Sequence, residues 1–132
     1  MSCVVLDSIG PRRDGDVLIG SAMTDKEAFT YAQQNFPDGR FCLVRDWIWV
    51  EYDISSVSFT RLRAQGIYPV MLYSSNVVFD GMCRWPEGGF VRTSALTSFR
   101  EQFIFQTRNT TYILLGDGQQ RYVPAEAERT LH

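Results

Sequence analysis

The chain has 132 residues, 45% hydrophobic and 14% aromatic, which fits one ordered domain with a core of its own and excludes a disordered chain. A formal net charge of −2 and a single histidine, the terminal His132, give no global field to recruit nucleic acid or acidic lipid and no internal imidazole for catalysis. Cys3, Cys42 and Cys83 are too few and too scattered for a disulfide framework or a zinc site; with no leader pattern and no apolar run of bilayer length, a soluble cytoplasmic protein without cofactor or metal is expected.

Residues 2–6, SCVVL, read as a short opening strand, and 10–15 as turn material with two adjacent arginines. Val17, Leu18 and Ile19 offer another short strand. The best marked element is a helix over 25–36. Thr24 and Glu27 make a T-x-x-E capping box at its start, Phe29, Ala32 and Phe36 recur along one face, and Pro37-Asp38-Gly39 ends it.

Strands follow at 41–44 and 47–52, joined by a hairpin or by a bend at Arg45-Asp46. In the second, Trp47, Trp49 and Glu51 share one face and Ile48, Val50 and Tyr52 the other, the pattern of an interior strand covered on one side by the helix. Ser58 is the expected cap of a short helix over 59–65, closed by Gly66 in the left-handed position. A strand at 70–73 resumes at 77–79 past the polar Ser74-Ser75-Asn76, which predicts a bulge or a crossing between packing environments.

The loop 80–89 is long for a hairpin and carries Met82, Cys83 and Trp85. Residues 90–118 then read as a three-stranded meander with turns at Arg100-Glu101 and Arg108-Asn109. In it Phe103 and Phe105 share a face, as do Tyr112 and Leu114. An edge strand over 119–124 and a polar tail over 125–132 complete the reading. The expected fold is α+β over 1–124: a curved, mostly antiparallel sheet of five to seven strands, barrel-like in its C-terminal half, packed against one main and one short helix.

WIWVEY at 47–52, after a helix ending in Phe36-Pro37, together with VRTS at 91–94 and TRNTTYILLG at 107–116, resembles a set of short hypothetical proteins of Gram-negative bacteria and their prophages, grouped as a domain of unknown function. The resemblance covers about residues 24–118, and its most specific piece is 107–116. It implies a bacterial or phage origin and a small cytoplasmic protein, and it carries no activity and no site residues with it.

Chemistry is weighed residue by residue. Cys83 sits beside Arg84, which would lower a thiol pKa, but no histidine partners it. Glu51 with Asp53, and Asp80 with Glu87, are the carboxylate pairs available for acid–base or cation work, against the plainer reading of solvated acids. Tyr73-Ser74-Ser75 and Glu126-Ala127-Glu128 follow the order of a mono-ADP-ribosyltransferase pattern, a match treated as accidental; an enzyme is therefore the third and least favoured reading.

Charge is unevenly spread: residues 1–53 carry five basic and nine acidic side chains and 54–124 seven basic and four acidic, with Lys26 the only lysine. Arg92, Arg100, Arg108 and Arg121, interleaved with aromatics, make nucleic-acid binding the second reading. The leading reading is a non-catalytic accessory protein that binds another protein, from a prophage or phage acting on a host system. Its candidate surface is the 80–89 loop, with Met82 and Trp85 as anchors and Arg84 and Glu87 as polar partners. Trp85 has two fates there, interface anchor or inward lid on the core.

Overall fold

A computed structural model describes residues 15–124. The expected strand at 2–6, most of the 10–15 turn and the tail at 125–132 lie outside the described residues. The elements run β1 (Val17–Ile19), α1 (Asp25–Asn35), β2 (Phe41–Tyr52), α2 (Ser56–Ala64), β3 (Val70–Asp80), β4 (Val91–Arg92), β5 (Ser98–Arg100), β6 (Ile104–Gln106), β7 (Thr111–Leu114) and β8 (Asp117–Val123). All eight strands belong to one sheet, which curls into a half-barrel, so the α+β expectation holds.

α1 forms where the sequence marks it. Thr24 Oγ1 accepts from Glu27 N–H at 3.1 Å and Glu27 Oε1 from Thr24 N–H at 2.9 Å, which closes the capping box. Ala28 and Ala32 are buried, and with half-buried Phe29 and Phe36 they pack on Phe41, Leu43, Ile113 and Leu115.

β2 organises the sheet, and it is one bent strand rather than a hairpin. Asp46 takes a left-handed conformation, φ 50°, which shifts the alternation by one residue. Counting in twos from Val44 would reach Ile48; instead Cys42, Val44, Trp47 and Trp49 all enter one core with Leu72 and Phe105. β3 answers with a bulge, because the register steps from Leu43↔Phe79 to Val44↔Val77 and leaves Val78 as the extra residue.

β3 runs antiparallel along one edge of β2, while the other edge is shared end to end by β7, parallel to it at Phe41 to Val44, and β8, parallel to it at Ile48 to Tyr52. β8 is therefore not the edge strand expected over 119–124; it lies between β1 and β2. The sequence hides this because the core-facing positions of β8 are Gly118 and Gln120, both buried. Gly118 is obligatory, since a Cβ there would collide with the Trp47 ring. Trp47 Nε1 donates to Leu115 O at 3.2 Å and pins the junction of β7 and β8.

The meander also departs from expectation. β5 and β6 turn at Glu101-Gln102, both left-handed (φ 58° and 65°), so Phe103 falls in the turn instead of on a strand face with Phe105. Tyr112 and Leu114 do share the core face. Between β4 and β5, Thr93 N–H bonds Leu72 O, Leu96 N–H bonds Val70 O and Thr97 N–H bonds Gln106 O, so residues 93–97 tie β3 to β6 across the curl.

α2 begins one turn earlier than expected, because Ser55 rather than Ser58 is the cap; its side chain accepts from Ser58 N–H at 3.1 Å. Gly66 does close it in the left-handed region, φ 78°. Phe59 and Leu62 pack on Val50, Tyr52 and Ile54, on the face of β2 opposite the tryptophans.

Candidate functional site

The 80–89 loop is held from within. Asp80, whose side chain is fully buried, accepts from the backbone N–H of Met82, Arg84 and Trp85 at 3.2, 2.7 and 3.3 Å. It also accepts from Arg84 Nε and Nη2, both at 3.1 Å. Arg84 Nη1 donates to Thr110 Oγ1 at 2.8 Å, and its guanidinium lies 4.1 Å over the Trp85 ring. Burial pushes the Asp80 carboxyl up, but the Arg84 side chain and the backbone donors of Arg84 and Met82 outweigh it and hold the pKa below the usual 3.8. Trp85 is half-buried against the core, Met82 and Glu87 are exposed, and Cys83 is exposed with φ 56°.

The meander arginines fall on separate elements. Arg92 is on β4, Arg100 on β5 and Arg121 on β8, and Arg108 sits in the β6–β7 turn, where it donates to Gln65 O at 3.3 Å. Glu51 is only 2% exposed, on the tryptophan face of β2, whereas Asp53 is exposed past the strand end. Among the described residues, no group of three or more His, Cys, Asp or Glu side chains is placed to hold a metal ion.

Sequence reasoning missed a cleft over the two tryptophans of β2. This cleft of about 400 Å³ is floored by Trp47 and Trp49 and walled by β1 on one side and by Phe99 and Gln102 of the β5–β6 hairpin on the other. β1 and β5 are the two ends of the strand order, so the cleft lies where the sheet stops short of closing. Phe99 stacks edge-on to Trp49 at 4.8 Å, which fixes the aromatic floor.

The main-chain groups of β1 are arranged in a specific way. Gln120 N–H bonds Asp16 O and Gly20 N–H bonds Gly116 O, each at one end of β1. With Leu18 opposite Gly118, antiparallel alternation turns the main-chain groups of Val17 and Ile19 away from β8. Among the described residues no strand lies beyond them. Val17 and Ile19 are also 64% and 72% exposed. Their alternation about Leu18 was visible in the sequence; that nothing among the described residues covers them was not.

Fold and site together define a small α+β domain on a curled sheet, with β1 as an edge strand among the described residues, beside an aromatic cleft. The chain matches the family described as Domain of unknown function (DUF6957) over residues 19–128 and belongs to it. No curated protein and no solved structure matches it. No helix among the described residues is long and apolar enough to cross a membrane.

Proposed function

We propose that this protein is a non-catalytic accessory domain that binds another protein, taking an extended segment of it along β1. A Gram-negative bacterial or prophage origin and a cytoplasmic place of work, on a host system, are part of the same proposal and rest on the resemblance of 47–52 and 107–116. The observation that carries the binding mode is the edge of β1, uncovered among the described residues, with the main-chain groups of Val17 and Ile19 turned away from β8 beside a cleft floored by Trp47 and Trp49. Strand addition of this kind draws affinity from main-chain bonds and specificity from a pocket for an alternate side chain. The pocket's size and aromatic floor suit one aromatic or large aliphatic anchor.

Among the residues first singled out, Arg84 is committed to Asp80 and Trp85 to the core. The geometry therefore favours β1 and the cleft over the 80–89 loop as the contact surface, with Met82 and Glu87 left at the loop's rim.

A displayed library of unstructured peptides panned on the purified protein tests this, with affinity read from tryptophan emission because Trp47 and Trp49 line the cleft. Enriched peptides should share one large apolar residue. Ile19→Glu should weaken them by at least about tenfold without lowering the melting temperature, since its side chain is exposed. Peptides bound equally well by wild type and Ile19→Glu would refute the proposal.

A further inference from the structure

β1 borders a second recess besides the aromatic cleft. A hollow of about 350 Å³ shares Val17 and Trp47 with the cleft and is also bordered by Ile48, Gln119 and the exposed Asp46 and Asp117. The two recesses differ in chemistry. The cleft is floored by indole rings, whereas the hollow holds two carboxylates that no described cation answers: the ion pairs among the described residues are Arg40–Asp38, Arg45–Asp25 and Arg84–Asp80. Arg45, next to Asp46 in the chain, is engaged by Asp25 Oδ1 at 2.8 Å and Met23 O at 3.3 Å. Asp46 accepts from the neutral Asn76 Nδ2 at 3.2 Å.

Strand alternation gives each recess to a different position of an added segment. Leu18 packs with the tryptophans. Val17 pairs with Gln119 and Ile19 with Asp117, so these four side chains share the other face. On a segment laid along β1, the residue opposite Leu18 therefore turns into the cleft, and its two neighbours lie over Val17 and Ile19. The position over Val17 has the hollow in front of it. From there Asp117 is two strand spacings across and two residues along, about 12 Å between Cα atoms, a span that an extended arginine and an aspartate close between them. The aliphatic stem of that arginine covers the exposed Val17 side chain, and its planar fork suits a carboxylate. The hollow does not extend to Ile19, whose exposed side chain calls for an apolar neighbour.

We infer that the segment taken along β1 carries a basic residue, arginine above all, immediately beside its large apolar anchor. The arginine lies over Val17 with its head towards Asp117 and Asp46, the anchor stands opposite Leu18 in the cleft, and an aliphatic residue covers Ile19. This rests on strand addition at β1 and names the chemistry of the partner.

Four end-blocked synthetic nonapeptides test it: Arg-Phe-Val and Val-Phe-Arg between threonine flanks, two orders because a strand adds in either direction, and the same two with glutamine for arginine. Each is titrated into the full chain and read by tryptophan emission. In one of the two orders the arginine peptide should bind at least about tenfold tighter than its glutamine twin at low salt, and the ratio should shrink as salt is raised. Asp46→Asn with Asp117→Asn keeps both shapes and removes the charge; it should bring the ratio to within about twofold and leave the glutamine peptide unaffected. Val17→Pro removes a main-chain N–H turned away from β8, a change an edge strand tolerates, and should weaken both twins; should it lower the melting temperature, Ile19→Pro serves in its place. Twins of equal affinity, or an arginine preference that survives in the asparagine double variant, would overturn the inference, while weakening by Val17→Pro would leave strand addition standing. Peptides that fail to bind, or that bind the proline variant as tightly as wild type, would overturn strand addition and the inference with it.

Discussion

Replacing Asp80 with alanine tests the account of the 80–89 loop most severely. The carboxylate accepts three backbone N–H groups and two guanidinium nitrogens, in a side chain with no exposed surface. A hydrogen bond to a charged group is worth about 1.5–3 kcal/mol net, but these bonds share two oxygens and the freed donors gain water in a loop whose residues are largely exposed. The sum is therefore well below additive, and we expect a loss of about 3–4 kcal/mol, near the range for breaking a buried ion pair. In a domain of this size that lowers the melting temperature by about 10–15 °C.

Arg84→Ala should cost less, about 1.5–2.5 kcal/mol, because Asp80 keeps its backbone donors and the guanidinium was partly solvated. It should still redden Trp85 emission, since the group stacked on that ring is gone. The pH dependence follows from the lowered carboxyl. A folded pKa below the unfolded value contributes stability that is complete above about pH 4 and is lost as pH falls through the folded pKa. Urea melts at neutral pH and across the acid range measure both effects. An Asp80→Ala cost below about 1 kcal/mol, or an acid slope equal in variant and wild type, would refute the clamp.

Gly118→Ala forces the Trp47 ring, buried beneath it, out of place and should cost about 2–3 kcal/mol in a thermal melt. Replacing Glu101-Gln102 by Asn-Gly relieves two left-handed residues and should stabilise the hairpin by about 1–2 kcal/mol, while weakening peptide binding because Gln102 lines the cleft. Burial, with Asp80 nearby, pushes the Cys42 thiol up to about 12. In a Cys3→Ser background a thiol reagent at neutral pH should therefore label exposed Cys83 at once and Cys42 only on unfolding.

Elements whose signal is local were legible in the sequence. The capping box of α1 and the two-sided pattern of β2 each depend on neighbours within a few residues; β3 does carry a bulge, but at Val78 rather than at the polar triplet where it was expected. What escaped depends on partners far along the chain. β8 looked like a peripheral strand because glycine and glutamine occupy its inward positions, and those choices make sense only once the Trp47 ring is placed over Gly118. The bend at Asp46 was one of the two joins the sequence offered for the halves of β2, and an aspartate tolerates the left-handed conformation found there, but the shift of face it imposes on the second half was not foreseen. The same holds for the site. Tryptophans at 47 and 49 were seen as a face, but the cleft over them exists because β1 and β5, 80 positions apart in sequence between Leu18 and Ser98, both stop short above it. Arg84 and Trp85 looked like interface residues by type, and no local pattern reveals that Asp80 and Thr110 engage the arginine.

Amide hydrogen exchange at Val17 and Ile19, with and without a saturating panned peptide, measures the binding mode itself. Strand addition predicts that both amides, turned away from β8, exchange readily in the free protein and become strongly protected in the complex, with Leu18 little changed. Tight peptide binding that leaves Val17 and Ile19 exchanging as before would contradict it.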